Sequence, residues 1–472
     1  MSEAKTKVKA VFGGAIPRLS FWNMFNMAIG FLGIQFAWSI QMGQMSGIYE
    51  RLGATPSQVS WFWIAGPITG IIIQPIIGSL SDRTWCFLGR RRPYFLIGAI
   101  LSSLALIAMP NSSALWMAAS LLWIMDSSVN ISMQPFRSLV ADMAPEEQRG
   151  TAYSFQSFVI GLGSVLSFGL GGVVIFDWVQ SKFGASGATF LDTIKPYCPT
   201  SLHALFYIGA AVFTLAILWT IFMTKEYPPA DVEAFKAQKK NTFKVFGWVT
   251  DTWRSIVEMP DKMRKVCLMH SFTWFAYFCI FIFFSTMVAH NLFSAEPGTP
   301  AYDKGIAWAS LCFLAMNVVC FVSAVAIGYL ANYMRKKVLH GICLSIGAVA
   351  LISMYFITTP LQAMIAMAAI GIPWAATQSL PYALLSDVVP KERYGVYMGT
   401  FNLFICLPQI VCAVLVGPVV TLLGGNRALA LVMGGVSLIF AVIALRKVYE
   451  PKIHEQRARA AVGALATEGE AV

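Results

Sequence analysis

The chain has 472 residues, of which 57% are hydrophobic and only 12% are charged, and its formal net charge is +11. Ordinary soluble domains carry roughly a quarter charged residues, so this composition excludes a soluble globular protein. Runs of about twenty apolar residues recur along the chain, as they do in proteins with several membrane-spanning helices. The sequence therefore predicts an integral, multi-pass membrane protein.

Twelve apolar runs predict an all-α membrane protein with twelve transmembrane helices. They cover residues 22–43, 58–80, 94–110, 114–141, 151–176, 201–223, 265–288, 305–331, 338–358, 361–387, 395–421 and 426–446. We therefore expect an N-terminal half (1–223), a cytoplasmic linker (224–264), a C-terminal half (265–447) and a cytoplasmic tail (448–472). The linker stretch 243–259 has the pattern of an amphipathic surface helix.

The positions of Lys and Arg predict the orientation. With the N-terminus in the cytoplasm, the segments outside carry five of the 34, namely Arg51, Lys182, Lys195, Lys304 and Arg427. Arg137 lies within the membrane, and all the others are cytoplasmic. This bias follows the positive-inside rule and places both termini in the cytoplasm. Orientation in the lipid bilayer thus accounts for the net positive charge, and no nucleic-acid partner is needed to explain it. Nothing in the sequence demands more than a monomer.

Two pairs of similar segments indicate an internal repeat. DMAPEEQRG (142–150) resembles DVVPKERYG (387–395), and GSLSDR (78–83) resembles GYLANY (328–333). Six spans repeated in parallel, with a cytoplasmic linker between the halves, are the plan of the major facilitator transporters. The loop at residues 78–93 also resembles the G-x-x-x-D-R…G-R-R signature of that superfamily.

This loop predicts a cytoplasmic gate. Acidic side chains do not contribute to positive-inside orientation, so Asp82 and Asp142 indicate a second role beside it. A carboxylate at a helix end can pair with a cation or a helix terminus and hold one conformation closed. The candidate cationic partners are Arg83, Arg90, Arg91 and Arg92. The alternative is that the arginines only set the topology.

The fourth predicted span carries polar residues on one face. At 100° per residue, Asp126, Asn130 and Arg137 lie within about 40° of one another, and Gln134 lies at the edge of this face. Acids in the middle of a span normally face a cavity and mark the path of a substrate or ion. Asp126 is therefore the candidate proton carrier, because an acid in a cavity that opens to each side in turn can load and release a proton. The alternative is a structural Asp–Arg or Asp–Asn bond.

The facing spans supply amides and aromatic rings suited to a sugar. Flat rings pack against the apolar faces of sugars, while amides and acids bind hydroxyls. The candidates are Gln35, Trp38 and Gln41 in the first span, Trp274 in the seventh, and Trp374, Gln378 and Tyr382 in the tenth. The alternative for any single aromatic residue is lipid contact or core packing.

The motifs GIQFAWSIQMGQMSGIYERLG, AGPITGIIIQPIIGSLSDR, GRRRPYF, D-x-x-x-N-x-x-x-Q-P-x-R and GIPWAATQSLPYALL resemble the sucrose–proton symporters of plants. They are also similar to related animal and bacterial carriers of the glycoside–cation symporter group. The resemblance implies that Asp126 binds the proton and contacts sugar, that Arg137 is essential, and that the substrate is a glucoside such as sucrose or maltose. The seventh span departs from the plant pattern, since TWFAYFCIFIFFSTM has no acidic residue.

We thus expect a proton-coupled disaccharide symporter, with no catalytic residue, metal or cofactor other than the coupling proton. A sodium-coupled carrier, a carrier of monosaccharides or glucuronides, and a sugar sensor that does not transport remain alternatives. A membrane enzyme is disfavoured because no mid-membrane His–acid cluster, metal-ligand set or serine motif is present. The short loops favour a bacterial inner membrane.

Overall fold

The computed structural model describes residues 17–227, 254–386 and 394–450. Most of the predicted linker, including most of the amphipathic segment 243–259, lies outside these ranges, as do most of the second repeat motif (387–395) and most of the tail. The described residues form helices and no β-strand. These are α1 Phe21–Ala28, α2 Gly30–Arg51, α3 Pro56–Phe62, α4 Ala65–Asp82, α5 Arg92–Ala108, α6 Leu115–Met143, α7 Glu146–Gly171, α8 Ile175–Ile194, α9 Ser201–Met223, α10 Asp261–Met287, α11 Pro300–Leu330, α12 Lys336–Ser353, α13 Pro360–Thr377, α14 Leu380–Ser386, α15 Tyr394–Leu422 and α16 Ala428–Leu445.

Ten helical segments among the described residues are long and apolar enough to cross a membrane. The helices α2 and α6 are also long, with 22 and 29 residues, but they are too polar for that group. They are the helices that carry the glutamines of the first span and the Asp126–Arg137 face. Their polarity therefore comes from the candidate site itself.

Three predicted spans are interrupted, and proline explains two of the interruptions. Between α3 and α4 the chain leaves the helix at Trp63 and Ile64, and Pro67 has no N–H to donate to the Trp63 carbonyl. Between α13 and α14 the break lies at Gln378 and Ser379, and Pro381 likewise cannot bond to Thr377. The first span is divided at Ile29, which the sequence pattern did not predict.

One helix, α8, was not predicted. It occupies residues that we had assigned to an outer loop, between the fifth and sixth spans. The helix bends at Gly184, which has a φ of 53°, and a positive φ is a backbone conformation that glycine adopts at little cost. Its Trp178, Phe183 and Phe190 side chains are exposed, so apolar residues of the predicted loop belong to a separate helix that packs little against the rest of the described bundle.

The two groups of helices pack in the same pattern, which matches the internal repeat. In the first half α2 packs on α7 and α9, α4 packs on α6, and α5 packs on α6 and α9. In the second half α10 packs on α15 and α16, α11 on α13, and α12 on α13 and α16. The starts correspond too: Thr55 precedes Pro56 and accepts a backbone N–H from Gln58, and Thr299 precedes Pro300 and accepts one from Tyr302.

The halves are joined mainly at the end of the bundle away from the Asp82–Arg92 loop. At this far end Ser46 donates to the Ile282 carbonyl at 2.6 Å, and Ser60 donates to the Ala413 carbonyl at 2.7 Å. At the loop end, no side-chain hydrogen bond joins the halves among the described residues. Among the described residues, the side-chain hydrogen bonds between the halves are therefore concentrated at the far end.

Close packing of α5 on α6 generates the first prediction. A Cβ atom on Gly98 would lie 2.1 Å from Ser132 Oγ and 2.6 Å from the Ser128 carbonyl oxygen. Gly98→Ala should therefore lower the stability by about 1–3 kcal/mol, measured as a lower melting temperature in detergent. Gly328→Ala is the matched control, because nothing lies within 4 Å of that Cβ position. An unchanged melting temperature for Gly98→Ala would contradict this packing.

Candidate functional site: a polar face between two helical halves

At the loop end, one arginine joins both predicted gate acids. The Arg91 side chain is only 3% exposed, and its Nη2 lies 2.7 Å from Asp82 Oδ1 while its Nε lies 2.8 Å from Asp142 Oδ2. Arg91 Nη1 also donates to Ser81 Oγ at 2.6 Å. The side chain therefore ties the end of α4 to the end of α6.

The other predicted gate arginines differ in role. Arg90 adds a second ion pair to Asp82 at 3.0 Å, whereas Arg83 follows the last residue of α4 as its C-cap. The Arg92 side chain forms no ion pair with a described residue, and its Nε is buried without a hydrogen-bond partner. The cluster that the structure brings together is thus Asp82, Arg90, Arg91 and Asp142, all within the first half.

Electrostatics favour this arrangement. Burial alone would lower the pKa of Arg91, yet the hydrogen bond and charge of Asp142, together with Asp82, hold that pKa above its ordinary value. The two acids thus more than offset the desolvation of the guanidinium. The ion pair is a fixed tie within one half, so in this conformation it does not itself bridge the halves.

Two glutamates that the sequence analysis missed cap the starts of α5 and α12, which are corresponding helices of the two halves. Glu226, just after α9, accepts the backbone N–H groups of Arg90, Arg91 and Arg92 at 2.9–3.0 Å. Glu450, just after α16, accepts those of Lys336 and Lys337 at 2.7 and 3.1 Å. Carboxylates are stabilised at helix N-termini by free N–H groups and by the helix dipole. The signal was an acid shortly after the last span of each half, in KEYP and YEP.

Gly89 permits the close approach of Glu226. Its φ is 109°, and a Cβ atom there would lie 2.8 Å from Glu226 Oε1. Only glycine combines this backbone conformation with that space.

In the middle of the bundle, Asp126 is 1% exposed and only partly satisfied by hydrogen bonds. Its Oδ1 accepts from Gln41 Nε2 at 3.0 Å, and the Trp38 side chain lies beside it. Its Oδ2 has no protein hydrogen-bond partner and lies next to Gly66 of α4. Asp126 forms no ion pair with a described residue, so the structural Asp–Arg bond considered from the sequence is absent in this conformation.

Asn130 fixes this region to α4. Its Nδ2 donates to the Asp126 carbonyl at 2.8 Å and to Thr69 Oγ1 at 3.2 Å. Its Oδ1 accepts from Gln74 Nε2 at 2.7 Å. The hydrogen-bonding groups of the Asn130 amide are therefore occupied by protein groups in this conformation.

Towards the loop end, the polar face of α6 becomes more exposed to solvent. Gln134 is half-buried and lies near Gly78, and Arg137 is exposed although it precedes the end of α6 by six residues. The hydrogen bond of the Arg137 guanidinium is to Met133 Sδ at 3.6 Å, and Tyr382 of the second half lies within electrostatic range. Arg137 thus faces the cleft between the halves.

The second half places its predicted site residues in different surroundings. Trp374 lies in an aromatic cluster, with ring centroids 5.8 Å from Trp274 and 4.7 Å from Tyr277. Because the helix breaks after Thr377, Gln378 is exposed and Tyr382 lies on the next short helix. The expected four-residue spacing along one helical face is therefore interrupted.

The two remaining predicted site residues, Trp274 and Gln35, contact residues other than Asp126. Trp274 is half-buried, and its indole N–H donates to His270 Nε2 at 2.8 Å, which fixes the ring orientation. Gln35 packs against Gly163 of α7 and makes no hydrogen bond to the described site residues. The site nearest to Asp126 therefore consists of Gln41, Trp38, Asn130 and Gly66.

Two similarly packed helical halves around a mid-membrane acid are the plan of membrane transporters built from repeated halves. The Major Facilitator Superfamily model matches residues 27–413 and again 306–470. The chain belongs to this superfamily and is a multi-pass membrane protein.

The chain is also similar to individual proteins. It is 26% identical to sucrose transport protein SUC4 of Arabidopsis thaliana over 88% of each chain. It is 23% identical to the general alpha-glucoside permease of Schizosaccharomyces pombe over 87% of this chain and 89% of the permease. Among solved structures, the nucleoside transporter NupG aligns with a TM-score of 0.67 at 12% identity, covering 91% of this chain and 100% of NupG. The inward-open xylose transporter XylE from E. coli aligns with a TM-score of 0.62 at 15% identity, covering 93% and 99%.

The Arg91 cluster generates the second prediction. Arg91→Lys should lower the melting temperature in detergent, because a single ammonium group cannot reproduce the forked contact with Asp82, Asp142 and Ser81. Arg92→Lys is the same substitution at a position without an ion pair to the described residues. It should therefore lower the melting temperature less. Equal effects of the two substitutions would contradict the central role of Arg91.

Proposed function

We propose that the protein is a proton-coupled symporter of a disaccharide or glucoside, such as sucrose or maltose, that works by alternating access. The observation that carries the proposal is Asp126, a carboxylate buried at mid-span with no ion pair to a described residue. An uncompensated charge is costly there, and a proton is the smallest ligand that removes it. The coupling ion is thus taken to be the proton.

The neighbours of Asp126 support a hydroxyl-rich substrate. Asp126 Oδ2 and Gln41 Oε1 are both buried acceptors without a protein donor. Buried polar atoms normally have partners, and sugar hydroxyls are donors of suitable size. The aromatic rings of Trp38, on the first half, and of Trp274 and Trp374, on the second, supply flat surfaces for a sugar ring. The similarity to sucrose and α-glucoside transporters agrees with this substrate class.

The topology is part of the proposal. We place twelve spans across the membrane with both termini in the cytoplasm, since the loop end carries the basic residues. The halves then comprise residues 1–223 and 265–447, and the conformation described here faces the cytoplasm. Arg137 and Gln134 line the inward path about 16 Å and 12 Å from Asp126 along α6. Asp82, Arg90, Arg91 and Asp142 form the cytoplasmic gate region.

The coupling role of Asp126 generates the third prediction. Proteoliposomes in weak buffer should show sugar-induced proton movement with sucrose or maltose, and Asp126→Asn should abolish both this signal and uphill accumulation. Because the amide keeps the shape and still accepts a hydrogen bond from Gln41, some sugar binding should remain, measured by equilibrium binding of labelled sugar.

The matched control is Asp192→Asn, which neutralises an exposed acid on α8 and should leave proton movement intact. Normal uphill uptake by Asp126→Asn would refute the mechanism. Sodium-dependent uptake without proton movement would instead favour the sodium-coupled alternative.

A further inference from the structure

At the far end of the bundle, a buried acid of the first half is satisfied by groups of the second half. Glu50 lies in the last turn of α2, and its side chain is 2% exposed. Its Oε1 accepts from Arg427 Nε at 2.7 Å, and its Oε2 lies 2.8 Å from His290 Nε2 and accepts from the Tyr302 hydroxyl at 2.6 Å. We call Glu50, His290, Tyr302 and Arg427 the latch cluster.

The three partners come from three different elements of the second half. His290 lies on a single π-helical turn, Val288–Leu292, that continues α10, and such turns often mark functional positions. Tyr302 lies in the first turn of α11, and Arg427 is the N-cap of α16. One carboxylate therefore gathers three helix ends.

Two other contacts join the halves near the latch cluster, one more exposed to solvent and one farther into the bundle. At the rim, Arg51 pairs with Asp303 at 2.5 Å, but the Asp303 side chain is half exposed, and exposed pairs contribute little. One turn below Glu50, Ser46 is buried between the halves and donates to the Ile282 carbonyl. Among the described residues, Glu50 is thus the most buried acid that joins the halves at the far end.

We propose that the latch cluster is the extracellular latch of the transporter, and that its release sets how readily the binding site opens to the outside. When the halves part at this end, Glu50 loses all three partners at once, since none belongs to its own half. A buried acid that loses its partners is costly, so the cluster holds the far end closed as a unit. The location outside rests on the orientation proposed above.

The cluster is asymmetric, which makes the proposal specific. Removal of Arg427 leaves Glu50 with His290 and Tyr302, whereas removal of the Glu50 charge weakens the contacts of all three partners. Glu50→Gln should therefore open the latch more than Arg427→Gln. The double variant should open it no more than Glu50→Gln alone, because residues in one network are not additive.

The test measures access from outside to a thiol beneath the latch. Ser46→Cys is introduced into a Cys198→Ser background, because Cys198 lies at the same end and is partly exposed. A membrane-impermeant maleimide is applied to right-side-out vesicles without sugar. Glu50→Gln should raise the labelling rate at least about tenfold, Arg427→Gln should raise it less, and Asp303→Asn should leave it nearly unchanged.

Unchanged labelling in Glu50→Gln, or an equal rise in Asp303→Asn, would overturn the proposal. If Glu50→Gln does not fold, Tyr302→Phe removes one hydroxyl and should still raise labelling; no rise in that variant would overturn the proposal as well. The labelling needs neither a sugar nor a proton gradient. Faster labelling in a protein that moves no sugar would therefore support the latch while refuting the proposed function.

Discussion

Carboxylates of this bundle find donors in three ways, and burial makes those donors matter most for Glu50 and Asp126. Asp142 is paired within its own half, through Arg91. Glu50 is satisfied by the opposite half. Asp126 is satisfied at one oxygen only. The same residue chemistry thus makes one contact that stiffens a half, one that must break when the halves part, and one that leaves room for a ligand.

In the proposed alternating-access cycle, this division would let the halves move as units. The Arg91 cluster and the Glu226 cap tie α4, α5 and α6 to the segment after α9, and Glu450 does the same for the start of α12. None of these contacts crosses between the halves. The proposed rocking motion would therefore leave them intact, and its cost would be concentrated in the far-end contacts between the halves.

Periodicity located most of the long apolar helices, because membrane helices need long apolar runs, and it put Asp126 within a helix, where the structure buries its side chain. It could not locate the breaks near Trp63 and Gln378, since a proline in a membrane helix can either interrupt it or, like Pro135 in α6, leave it continuous. It also missed Glu50, which resembles an ordinary loop-facing acid until Arg427 and Tyr302 approach from distant parts of the chain. Tertiary pairing of this kind has no local signal.

The helix α2 connects the latch to the candidate site. Gln41 and Glu50 are nine residues apart, so they lie about 14 Å apart along the axis and on opposite faces. Gln41 contacts Asp126 of its own half, and Glu50 contacts the second half. When the first half moves as a unit, as proposed, α2 therefore carries the Gln41–Asp126 contact with it while Glu50 leaves its partners. One rigid helix would in this way separate the halves at the far end without disturbing the amide that holds Asp126.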